Sequence, residues 1–155
     1  MAEALATISR VEDLGMIQIR ADLARAGDAI AGATGLAIPA QGMTVSDGTR
    51  RLGWMSPDEL LLVLPRAELA EALAALGDAL STEHALVLDV SDMRVAFRIT
   101  GPRAGQVLAK LSPAEIGAMP PDGLRRSRAA QAACGIWREA DGYVLIGFRS
   151  IADYL

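Results

Sequence analysis

The chain has 155 residues, 52% hydrophobic and 22% charged, with a formal net charge of −4 and a sequence pI ≈ 5.0. That length suits one domain with a substantial core, and the acidic balance excludes the basic footprint expected of a nucleic-acid binder. One cysteine and one histidine exclude a disulfide framework and a protein-only zinc site of the usual kind. Mean hydropathy is +0.28, high for a free-standing domain; this fits either an alanine-rich composition or an apolar surface kept covered by another chain.

The opening stretch, MAEALATISRVEDLG, carries an early acid and no apolar signal-peptide core. The longest wholly apolar run, Leu60–Pro65, is far too short to span a bilayer. A cytoplasmic protein without membrane contact is therefore expected. Met16–Arg20 alternates as a strand with Ile17 and Ile19 inward, and Asp22–Ala33 follows as a helix burying Leu23, Ala26 and Ile30 and ending at Gly32 or Gly35. Pro39–Gly48 reads as a loop. Arg51–Met55 and Glu59–Leu64 form two strands around a Ser56-Pro57-Asp58 turn, and Arg66–Leu80 is a helix with Leu69, Leu73, Leu76 and Leu80 on one face.

The second half follows the same plan. Leu86–Val90 and Val95–Thr100 are predicted strands, Pro102–Leu111 a helix with Ala104, Val107, Leu108 and Leu111 inward. Leu124–Ala132, Gly135–Glu139 and Tyr143–Phe148 are further strands, and Ser150 starts a short final helix with Asp153 at its third position. A helix that short is marginal unless it packs on something. The letters repeat as well: 83 residues on, Trp54 is matched by Trp137, Asp58 by Asp141 and Arg66 by Arg149, while IQIR at 17–20 matches FRIT at 97–100. The reading is a single 1–155 domain with an internal repeat, about 16–80 and 86–155. Its class is α+β: duplicated strand–helix–hairpin–helix units, with antiparallel sheet and helices packed outside.

Few side chains invite chemistry. Asp89 and Asp92 frame a turn in which Asp and Ser bond the backbone two residues on. Gly101-Pro102 is punctuation before a helix rather than a phosphate cradle, since proline removes a donor. His84 beside Glu83 reads as a solvated loop residue, and Cys134, with no base in view, as apolar filling. Arg125, Arg126 and Arg128 form a basic cluster without the interleaved aromatics of a nucleic-acid surface, and fit a solvated strand edge or a contact with an acidic partner. No catalytic, cofactor-binding or metal-ligating residue is expected. The candidate partner-interface residues are Arg125, Arg126, Arg128, Arg149, Tyr154 and Leu155, with the exposed flank of Arg66–Leu80.

The segment LDVSDMRVAFRITGPRAGQVLAKL, Leu88–Leu111, resembles the D-x-S…G-P-x-A-x-x-x-L stretch of the folate-binding aminomethyltransferase superfamily. GWMSPDELLL (Gly53–Leu62), AACGIW (Ala132–Trp137) and RSIADYL (Arg149–Leu155) resemble the gamma subunit of heterotetrameric sarcosine oxidase, in that family's order. The resemblance implies the aminomethyltransferase folate-binding-domain-like fold. It also implies an assembly of alpha, beta, gamma and delta subunits that oxidatively demethylates sarcosine to glycine, with hydrogen peroxide and, from tetrahydrofolate, methylenetetrahydrofolate. FAD, FMN, NAD and tetrahydrofolate would sit on partner subunits, none on this chain, whose role would be structural. Two departures bear on this: the aminomethyltransferases carry a catalytic aspartate where Arg128–Gly135 has no carboxylate, and Asp92 stands where the superfamily commonly has histidine. The alternatives are a tetrahydrofolate-binding aminomethyltransferase-like module and a free-standing domain for an unrelated ligand. An apolar contact surface left uncovered would pair the isolated chain as a homodimer.

Overall fold

The computed structural model describes residues 4–155; residues 1–3, at the start of the acidic N-terminal stretch, lie outside it. In chain order the elements are β1 (Thr7–Arg10), β2 (Leu14–Arg20), α1 (Leu23–Thr34), β3 (Thr44–Ser46), β4 (Arg51–Ser56), β5 (Glu59–Pro65), α2 (Leu69–Ala79) and β6 (Leu86–Asp89). There follow β7 (Arg94–Thr100), α3 (Ala104–Leu111), β8 (Leu124–Ala129), β9 (Ala132–Glu139) and β10 (Gly142–Phe148), with 3-10 turns at Arg66–Glu68, Ile116–Ala118 and Arg149–Ile151. The class is α+β, as the periodicity predicts. Two compact units divide the chain: Asp13–Ser91, and Asp92–Leu155 together with residues 4–12.

Each unit has its own antiparallel five-stranded sheet, in the order β3-β4-β5-β2-β6 for the first and β8-β9-β10-β7-β1 for the second. The duplicated plan is visible in the central strands, but Leu86–Asp89, read as opening the second copy, is the edge of the first sheet on β2, and Thr7–Arg10 takes the matching edge of the second sheet on β7. β2 corresponds to β7, the β4–β5 hairpin to β9–β10, and Arg66 and Arg149 each open a 3-10 turn. Registers agree too: Arg20 faces Glu59 in one ladder, and Thr100 faces Gly142 in the other.

In the first unit, Ile17, Ile19, Leu60, Leu62 and Leu64 line one sheet face, over which α1 lays Ala26 and Ile30 and α2 lays Leu69 and Leu76. Full burial of each large aliphatic side chain contributes about 1.5–3 kcal/mol. Asp22 caps α1, its carboxylate accepting from the Ala24 N–H at 3.0 Å. Gly35, at φ 72, ends the helix with its N–H on the Ala31 carbonyl at 2.9 Å, a backbone state that favours glycine. The second unit packs α3 (Ala104, Leu108) with Ile116 and Met119 on Ile99, Ile136, Tyr143 and Leu145.

Several expectations are corrected. Thr7–Arg10, to which the sequence assigns no element, is a strand, and the 39–48 loop contains the short β3. Leu124–Ala132 is not one strand: it ends at Ala129 and turns back through Ala130 and Gln131 (φ 47 and 72) into β9. This two-residue, positive-φ hairpin carries no sequence signal, because glycine and asparagine usually mark such turns. α2 begins at Leu69, after a 3-10 turn, and Leu73 is only half-buried. α3 begins at Ala104, beyond Pro102, and its Leu111 is exposed. No helix starts at Ser150; a 3-10 turn and single turns occupy the last residues, where too few intrahelical bonds form to offset nucleation.

The D-x-S turn has a structural task. Ser91 Oγ, buried, accepts from the Met16 N–H at 2.9 Å and donates to Asp89 Oδ1 at 2.6 Å, while the Val90 N–H bonds the Met16 carbonyl at 2.9 Å. The end of the first unit is thereby fastened to β2. The Ser91 hydroxyl and then its N–H hold the Asp89 carboxyl below the ordinary carboxylate value, so this contribution is present above about pH 3.9, the unfolded value, and fades as pH falls through the lower folded one. Ser91→Ala leaves the buried Met16 N–H without its acceptor. It should lower unfolding free energy by about 1–3 kcal/mol at neutral pH, with the gap to wild type narrowing below about pH 3.9, as read by urea melts across pH.

Candidate interaction surfaces

Each unit bears a depression at the same place in its repeat, where the first central strand hands over to its helix beside the hairpin turn. In the first unit it measures about 1070 Å³ and includes Arg20, Asp58, Arg25, Glu83 and His84. In the second it measures about 590 Å³ and includes Gly101, Gly105, Glu139, Asp141 and Tyr143. Arg20 pairs with Asp58 at 2.9 Å and Arg25 with Glu83 at 3.4 Å. The Ser56 hydroxyl, followed by Arg20, keeps the Asp58 carboxyl below its usual range. In the second depression, Glu139 takes Arg98 at 3.2 Å and the Trp137 indole N–H at 3.2 Å. Asp58, so engaged, is a poor proton acceptor, because its partners favour the ionised form. His84 is exposed. Among the described residues, no group of three or more His, Cys, Asp or Glu side chains could hold a metal ion.

The partner-interface candidates gather around the β8–β9 hairpin and the last residues. Arg125, Arg126 and Arg128 are exposed on β8, the outermost strand of its sheet. Arg149 is exposed at the final 3-10 turn, its N–H on the Met93 carbonyl at 3.0 Å. Tyr154 is 63% exposed, yet its hydroxyl donates to the Ala130 carbonyl at 2.6 Å. Leu155, expected to be exposed unless the last residues found something to pack on, is half-buried against the second unit's core, over Gly147, whose missing side chain makes the room. The exposed flank of α2 includes Ala70, Glu71 and Ala74. Three features went unread in the sequence. They are the left-handed Ala130-Gln131 turn, the Tyr154–Ala130 bond across it, and the Arg94 guanidinium 4.5 Å over the Phe148 ring. Only the last has a signal, since both residues close the ladder that the repeat aligns.

A sequence profile of the "Sarcosine oxidase, gamma subunit family" matches residues 19–155. The chain belongs to that family. Among curated relatives, the sarcosine oxidase subunit gamma of Corynebacterium sp. (strain P-1) is 43% identical over 93 residues, which are 57% of this chain and 43% of the relative. That of an Arthrobacter species is 36% identical over 106 residues, 64% and 50% of the two. The chain spans about half the length of the curated relatives it matches. In three dimensions it is similar to the heterotetrameric sarcosine oxidase from Corynebacterium sp. U-96 solved with pyrrole 2-carboxylate. There the TM-score is 0.89 at 27% identity, over 96% of this chain and 78% of that one. Likeness to the glycine cleavage system aminomethyltransferase T of Bartonella henselae (TM-score 0.75, 17% identity, 96% and 44% coverage) extends to the fold. Family membership agrees with what the RSIADYL and GWMSPDELLL segments suggested.

Cys134 is buried in this gamma-family fold, and burial pushes its thiol up to about 11. At pH 8 the thiolate fraction is then about one in a thousand. Native protein should resist iodoacetamide at that pH, with alkylation by mass spectrometry appearing only as the fold is melted in urea.

Proposed function

We propose that the chain is a structural, non-catalytic subunit of a cytoplasmic sarcosine oxidase complex. The complex would act in sarcosine catabolism and one-carbon metabolism, releasing glycine with hydrogen peroxide and, with tetrahydrofolate, methylenetetrahydrofolate. FAD, FMN, NAD and tetrahydrofolate belong in this reading to the partner alpha, beta and delta subunits. The observation that carries it is the family match across residues 19–155, joined to the fold's likeness to a heterotetrameric oxidase. The chemistry of the chain supports the structural role. Asp58, Glu83 and Glu139 in the two depressions are tied to arginines, and the Arg128–Gly135 hairpin holds no carboxylate for a reacting folate. No helix among the described residues is long and apolar enough to cross a membrane.

Co-expression with the larger oxidase subunits of the same organism should give a yellow, flavin-bearing complex that retains this chain through purification. An oxidase equally active and equally stable without it would overturn the structural role. Calorimetric titration of the isolated chain with tetrahydrofolate should be silent, whereas a micromolar constant, about −8 kcal/mol of binding free energy, would make the chain a folate-binding module instead.

A further inference from the structure

The four edge strands differ in what they offer. β3 has three residues, β1 and β6 have four, and β8 has six, the longest edge. Three of its six positions are arginines that stay exposed in a chain of net charge −4, Arg125 while donating to the Leu124 carbonyl at 2.8 Å. Arg126 stands opposite Gly135 and Arg128 opposite Ala133, so the neighbours on that face are too small to crowd either guanidinium. The edge is also held in shape. The Ala130 N–H bonds the Leu111 carbonyl at 3.0 Å, and the Ala130 carbonyl accepts from Tyr154 at 2.6 Å, which fixes two non-glycine residues in a costly positive-φ turn.

We propose that the outer edge of β8 is the docking edge for an extended, acidic segment of a larger oxidase subunit, an inference that rests on the structural role proposed above. Strand addition satisfies the outward backbone groups, and alternate carboxylates meet Arg126 and Arg128 on one face and Arg125 on the other. A second copy of this chain is the wrong occupant, since antiparallel self-pairing would set arginine against arginine. Tyr154 acts through the hairpin, keeping the edge extended.

The test is capture of the larger subunits by tagged full-length chain, co-expressed, across salt from about 0.05 M to about 0.5 M. Wild type should lose captured partner steeply with salt. The Arg125→Glu/Arg126→Glu/Arg128→Glu chain should capture at least about tenfold less at low salt, and Arg128→Glu alone about threefold less. Arg103→Glu, an exposed reversal before α3, should stay within about twofold, and all variants should melt with wild type when isolated. Equal capture by the triple variant, or salt-independent wild-type capture, would overturn the docking edge while leaving the structural role standing. A wild-type homodimer dissolved by the triple reversal would also overturn it. Failure of wild type to capture any larger subunit would remove the structural role itself, and the docking edge with it.

Discussion

Two cross-strand ladders, β2 with β5 and β7 with β10, constrain everything else in this chain. Side chains alternate across a strand, so slipping β2 by one residue against β5 would turn Ile17 and Ile19 away from the helices. Both are fully buried, as are Leu62 and Leu60 opposite them, and at about 1.5–3 kcal/mol each their exposure would remove a large share of the about 5–15 kcal/mol that stabilises a domain. On the other face, Gln18 Nε2 donates to Glu59 Oε1 at 3.0 Å, a polar pair that only the observed register allows. The depressions lie where they do because each ladder ends there, at Arg20 beside the Asp58 turn and at Thr100 beside the Asp141 turn.

The ladders were legible in the sequence because both physical signals coincide there. Strict alternation at 16–20 and 95–100 marks the strands, and the matched Trp, Asp and Arg positions align the hairpins. The sheet edges carry weaker signals. Thr7–Arg10 is exposed at every position, so no inward period announces it, and Thr44–Ser46 is too short to show one. The β8–β9 turn was hidden because Ala130 and Gln131 adopt left-handed backbone without a turn residue, a conformation that Leu111 and Tyr154 support from afar. The arginine cluster could be read, since charge is local in sequence. That the last residues lock its hairpin could not, since that bond joins positions 24 apart.

The chemistry follows from the same frame. Turns and strand ends are where polar groups collect, and here structural work engages them. Asp22 caps a helix, Asp58 takes Ser56 and Arg20, Asp89 takes Ser91, and Glu139 takes Arg98 and Trp137. Asp58 and Asp89 are held in their ionised forms by those donors, the opposite of what a general base near neutrality needs. The one thiol is buried and pushed up by that burial. The likeness to the glycine cleavage aminomethyltransferase is one of fold, and in this chain these groups hold that fold together.

The two units also show how one template accepts different coverings. Gly15 faces Leu64 in the first ladder; at the corresponding step of the second, Val95 faces Gly147. Large and small residues have changed strands, so the volume of the pair is nearly kept while the gap moves across it. In the first unit the gap over Gly15 admits Leu69, the first residue of α2, whose Cβ would lie 3.3 Å from any Cβ added there. In the second the gap over Gly147 admits Leu155. A helix thus covers the gap in the first unit, and residues in single turns cover that in the second. Because Leu155 is drawn inward, Tyr154 next to it is carried to the Ala130 carbonyl, and the arginine-bearing hairpin is held from beneath. A glycine chosen for packing in β10 in this way sets the posture of an edge two strands away.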